Sequence, residues 1–297
     1  MKVSPSLRRW CARSAMAGLI AATFAAYGHP APALAATDSA PAIQRSAAAA
    51  VKPPDAATVM YFIYQIDGKG ETSYEVANGS IATYWFGHAF ESEGQHYYTG
   101  FVWKTAQRYG KPGEDQVGPG TQVNIAESTF VLNDPASERP WKFLGMEPAI
   151  GEFGAYERAP EVDTRRKPVE YRTPAGKLLL AVPDTSFDNG INSDGYTLLV
   201  FDPQQLKPDS DNNVWTYVGS ILTGEDNSAA CSDGEVMPCT SSAGELVFTA
   251  ATGNDMPRVT VKPSGTTISG PNKTRQLGAA DVTHYTFDAK TKRYVSQ

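Results

Sequence analysis

Residues Tyr84 to Trp103 read YWFGHAFESEGQHYYTGFVW and hold eight of the 31 aromatic residues in a chain of 297, together with two of its four histidines. The stretch folds on paper as a hairpin about Glu93-Gly94, a dipeptide of the X-Gly kind that closes two-residue turns. Ser92 then lies opposite Gln95, and alternation divides the side chains between two faces. One face carries Tyr84 opposite Trp103, Phe86 opposite Phe101, His88 opposite Thr99 and Phe90 opposite Tyr97, which is the composition of a core. The other carries Trp85 opposite Val102, Gly87 opposite Gly100, Ala89 opposite Tyr98 and Glu91 opposite His96. His88 and His96 part to opposite faces, which argues against a shared metal ion. On the mixed face, Trp85, Glu91, His96 and Tyr98 are the candidate ligand-binding residues. Flat rings beside polar groups, with a glycine pair opening space, suit stacking on a sugar ring or anchoring a protein partner. The competing role for that face is burial under another element.

Outward from the hairpin, strand signals dominate. Runs rich in valine, isoleucine, threonine and aromatics recur between turn residues at 59–66, 80–90, 95–104, 123–132, 141–146, 177–182, 196–201, 214–222, 245–250, 258–261, 283–287 and 293–295. No window sustains a helical apolar period for three turns. The fold class is therefore all-β and antiparallel, built from repeated hairpins, since no crossover helices are available for a parallel sheet. Four places share one design, a strand ending at an aspartate-led turn and a returning strand with aromatics. The aspartates are Asp67, Asp134, Asp202 and Asp288, and the middle two copies both carry Asp-Pro followed by Trp-x-aromatic-x-Gly. Real duplication predicts β-propeller-like stacked units. Chance resemblance predicts a β-sandwich or two small β domains.

The ends and joints divide the chain. Residues 1–35 have a basic start, an apolar run and a small-x-small site at Ala33-Leu34-Ala35, the marks of a secretory signal peptide. An Ala/Pro-rich flexible linker at 36–57 follows, then an N-terminal β region at 58–158. A charged, proline-bearing connecting segment spans 159–176, and a C-terminal β region occupies 177–297. Localisation is expected to be periplasmic or secreted, with no membrane insertion. Loss of the first 35 residues removes four basic residues and no acidic ones, leaving 22 Lys+Arg against 32 Asp+Glu. So acidic a surface repels phosphate backbones, so nucleic acid is not an expected partner. Cys231 and Cys239 remain as the mature pair and should form a disulfide closing a surface loop.

Two other features suggest chemistry. Asp184, Asp188, Asn192 and Asp194 crowd into PDTSFDNGINSDGY, hard oxygen donors of the type calcium needs, although the spacing does not fit an EF-hand. Asp209-x-Asp211-x-Asn213 is a weaker acidic run of the same kind. Enzyme signatures are absent: no Gly-x-Ser-x-Gly, no His-Glu-x-x-His and no phosphate-cradling glycine loop occur. The reading is an exported, monomeric, non-enzymatic module that binds a protein or carbohydrate, as an inhibitor or envelope accessory factor. A polysaccharide hydrolase or lyase with a carboxylate site is the first alternative, and a structural envelope protein the second. No cofactor other than calcium is indicated.

Overall fold

A run such as Leu178-Leu179-Leu180-Ala181-Val182 has no polar alternation, so a strand made from it must be covered on both faces. In the computed structural model this strand lies in the middle of three stacked antiparallel sheets. The structure describes residues 51–207, 212–252 and 255–297. The expected signal peptide, most of the expected linker, and Asp209 and Asp211 lie outside the described residues.

The first sheet is a meander of β1 (Ser73–Glu75), β2 (Ile81–Ser92), β3 (Gln95–Lys104), β4 (Val123–Leu132) and β5 (Trp141–Phe153), in that order. The middle sheet runs β10-β9-β8-β6, with β7 also paired to β8. Its strands are β6 (Glu161–Val162), β7 (Val169–Arg172), β8 (Leu178–Asp188), β9 (Ile191–Phe201) and β10 (Trp215–Asp226). The third sheet comprises β11 (Ser242–Thr249), β12 (Arg258–Gly270), β13 (Lys273–Gln276), β14 (Thr283–Asp288) and β15 (Arg293–Ser296), with order β11-β12-β14-β15 and β13 on β12. Among the described residues neither a closed barrel nor a closed propeller is formed. Three of the four aspartate-led turns do join hairpins, β4–β5, β9–β10 and β14–β15, and each hairpin ends its own sheet.

Alternation along β8 sends Leu178, Leu180 and Val182 toward Phe90, Phe101, Ile125 and Phe153 of the first sheet. Leu179 and Ala181 go the other way, toward Val259, Val261 and Tyr294 of the third. The centre of the first interface is Trp215, fully buried and ringed by Phe90, Phe101 and Phe201 at centroid distances of 5.6, 5.0 and 5.3 Å. Since one core cluster draws on residues from Phe90 to Tyr217, the regions on either side of 159–176 share a core. The charged segment between them is itself part of the middle sheet, through β6 and β7.

An expected strand at 59–66 is instead α1 (Ala56–Tyr64), a helix. Asp55 caps its start by accepting the Thr58 amide at 2.9 Å, and Gln65 ends it in the left-handed conformation. The valine, methionine and isoleucine that resembled a strand form its apolar stripe: Val59, Met60 and Ile63 pack on Tyr98, Val102 and Phe130. Burying each is worth about 1.5–3 kcal/mol. The slot for Val59 is Gly100, where an added Cβ would stand 2.3 Å from Val59 Cγ2.

Candidate functional site

The hairpin turns where expected. Glu93 and Gly94 both have positive φ, 50° and 74°, and Ser92–Gln95 through Phe86–Phe101 pair in the expected register. A bulge at Trp85 then shifts the register, so that Tyr84 faces Val102 and Thr83 faces Trp103. The bulge separates the four expected binding residues. Trp85 turns toward the middle sheet, its ring 5.0 Å from Phe153 and its indole N–H donating to Pro160 O at 2.8 Å. Tyr98 stays on the other face and is buried beneath α1, its hydroxyl 3.0 Å from that of Tyr84. Burial pushes the Tyr98 phenol well above its ordinary pKa. Glu91 and His96 remain a cross-strand pair near the tip, where Glu91 lines a shallow groove with Ser92, Glu93, Arg172 and Gly176. His88, on the core-facing side, meets Glu170 of β7 at 2.7 Å and lies between the rings of Phe86 and Phe90. The His88 contact holds the Glu170 carboxyl below its usual pKa.

The expected calcium residues do not converge. PDTSFDNGINSDGY is the β8–β9 hairpin, with Asn189 and Gly190 as a positive-φ turn, and its side chains spread along the two strands. Asp184 and Asp188 are four residues apart on an extended strand, about 13 Å at the usual rise. Asp184 is buried and accepts the Thr197 hydroxyl at 2.6 Å, and burial raises its pKa to about 6. Asn192 accepts from Thr185 at 3.0 Å, Asp188 from Asn189 at 3.1 Å. Asp194 lies 4.0 Å from the Arg166 guanidinium, which also donates to the carbonyls of Asp184 and Gly195. A built-in cation, Arg166, thus stands beside Asp184 and Asp194. No group of three or more metal-ligating side chains gathers among the described residues. Cys231 and Cys239 form the expected disulfide, and the Asn227 side chain braces the loop by donating to Pro238 O and accepting from the Thr240 amide.

The arrangement with most chemistry lies on the outer face of the first sheet, beyond α1. Lys104 of β3, Asn124 of β4 and Glu152 of β5 are direct cross-strand partners and form one row on that face. The row spans about 10 Å at normal strand spacing. With Thr105, Ala106, Gln107, Gln122, Pro148 and Ala149 it lines a groove of about 340 Å³. Pro148 and Ala149 form the wall because β5 bulges there: three residues, 148–150, stand opposite Ala126 alone. The side-chain oxygen of Asn124 is buried and has no hydrogen-bond partner. So is the hydroxyl of Tyr64, whose ring lies 5.8 Å from Lys104 Nζ. Tyr109, 61% exposed, bonds through its hydroxyl to Gln107 at the rim. Amides, an ammonium and a carboxylate thus converge on one concave surface, with Tyr109 bonded to the lining residue Gln107.

Behind the same bulge, on the opposite face, two carboxyl groups meet. Glu127 of β4 and Glu147 of β5 are direct cross-strand partners, so their side chains lie side by side on one face. Glu127 is 1% exposed and accepts the Thr129 hydroxyl at 2.6 Å. Thr99 lies 2.8 Å from Thr129, and the Trp215 indole N–H donates to Thr99 at 3.1 Å. Glu147 accepts the backbone amides of Val214 and Trp215, the latter at 3.1 Å, where the chain enters β10. Desolvation, and then the like charge of Glu147, push Glu127 well above the ordinary carboxylate range; desolvation also raises Glu147. Neither the groove row nor this pair is marked by sequence spacing, because each is assembled across strands. No family model, curated protein or solved structure matches the chain.

Proposed function

We propose that the protein is an exported, non-enzymatic binding module whose groove takes a carbohydrate segment. The observation that carries this reading is the Lys104–Asn124–Glu152 row, in which an ammonium, an amide and a carboxylate line one groove. Sugar hydroxyls both donate and accept, so they can satisfy such a row, and Tyr109 offers a ring for stacking at the rim. Export to an oxidising compartment accords with the Cys231–Cys239 disulfide. A glycoside hydrolase needs two carboxyl groups flanking a substrate cleft. The pair that meets here is sealed between sheets on its Glu127 side, so it does not favour that alternative.

Calorimetric titration with cello-, chito- and oligogalacturonide tetramers tests the proposal. At least one should bind, and Asn124→Ala should weaken it by about tenfold or more, the loss of about 1.4 kcal/mol, with little change in melting temperature. Binding unchanged in both Asn124→Ala and Glu152→Ala, or none in the wild type, would overturn it.

A further inference from the structure

The groove wall and one member of the acid pair, Glu147, belong to the same stretch of β5. Glu147 points inward while Pro148 and Ala149 face the groove, and two grips hold this stretch to the entry of β10. One is Glu147 accepting the amides of Val214 and Trp215; the other is Asn213 Nδ2 donating to Ala149 O at 3.0 Å. A carboxylate taking two amide donors is best served by a negative charge. Its neighbour Glu127, sealed from water, must then supply a proton rather than a second charge, since a buried anion held beside another anion is strongly disfavoured. Every other donor in the chain Trp215–Thr99–Thr129 can point toward Glu127, leaving its own proton for Glu147.

We propose that Glu127 and Glu147 share a single proton and act as a pH-set latch, holding the groove's β5 wall against β10 only while that proton is present. The side chains facing Glu127 are Thr99 on β3, Thr129 on its own strand, Glu147 on β5 and Trp215 through the threonine chain from β10. Among the described residues, Glu147 is the charged group that acts on it. Loss of the proton, as pH rises through the raised pKa of the pair, sets two anions against each other and loosens the wall. The chain then has a built-in upper pH limit for groove integrity.

The direction of the pH effect follows from linkage. A carboxyl whose pKa is raised on folding contributes its full stability below the unfolded value and loses it as pH rises through the folded value. Glu127→Gln keeps a donor toward Glu147 and cannot ionise. Thermal melts of both proteins from acid to alkaline pH should show similar melting temperatures near pH 4, then a gap in favour of Glu127→Gln that widens as pH rises. Amide-exchange protection at Val214 and Trp215, corrected for the intrinsic pH dependence, should fall in the wild type and persist in the variant. A gap that stays constant with pH overturns the latch. If the variant fails to fold, carboxyl-carbon NMR of the wild type decides. The latch requires two glutamate resonances that titrate together in two steps, one of them well above the ordinary range. Independent ordinary titrations for both overturn it. The effect on binding rests on the groove reading, but none of these measurements needs a ligand, so failure of the oligosaccharide titration and failure of the latch are separable.

Discussion

The two faces of the first sheet are built on opposite principles. Toward the middle sheet, Phe90, Phe101, Ile125 and Phe153 close on another sheet around Trp215, and the polar groups admitted there, Thr99, Thr129 and Glu127, are bonded to one another. Toward the outside, the cover is a single nine-residue helix that fits a slot of small residues and ends before the sheet does. Beyond it Lys104, Asn124 and Glu152 are left in a groove, with polar atoms lacking partners. The first face is a stability element, with Glu127 sealed inside it. The second trades stability for access, because a short helix covers what a sheet would have sealed.

That contrast can be broken by substitution. Trp215→Ala should have the largest effect, about 3–5 kcal/mol lost in denaturant unfolding, as removing a fully buried indole leaves a cavity among three rings. A loss under about 1 kcal/mol would show that the inter-sheet face is not the stability centre. Gly100→Val attacks the other face, by placing a Cβ against Val59, and should cost about 1–3 kcal/mol. Here the loss should be local: amide exchange in 56–64 should accelerate while β8 and β9 stay protected. Uniform acceleration would mean that α1 and the sheets unfold as one unit. Smallest is Asp55→Ala, which removes the cap of α1 and should cost about 1 kcal/mol, again expressed mainly in the helix. No change there would indicate that packing alone sets where α1 begins.

How much of this was readable beforehand depended on whether the signal was local. The β2–β3 pairing was legible because Glu93-Gly94 fixes its own turn and alternation does the rest. The bulge at Trp85 was not, since its reason lies in Phe153 and Pro160, distant in sequence. A glycine pair, Gly87 opposite Gly100, reads in the sequence as open space for a ligand; in the structure Val59 fills the Gly100 side of it. Residues 59–66 carry strand-like side chains, yet the Asp55 cap and the available slot made a helix of most of them. The aspartate-rich stretch after Pro183 has the composition of a cation loop, yet its Asn-Gly turn specifies a hairpin, along which donors spread out instead of gathering. The groove row and the Glu127–Glu147 pair had no local signal at all, each joining residues from different strands.

The middle sheet has a further consequence, for how the chain can be divided. Leu178, Leu180 and Leu199 face one neighbour while Leu179, Leu198 and Val200 face the other, so neither side of it tolerates water. A fragment ending before β11 would carry a bare aliphatic slab, and one beginning at β6 would carry another. Truncation from either end should therefore yield aggregating material and not smaller soluble domains. New hairpins or fusion partners are better accommodated at the surface loops of the two outer layers, which leave the shared layer untouched.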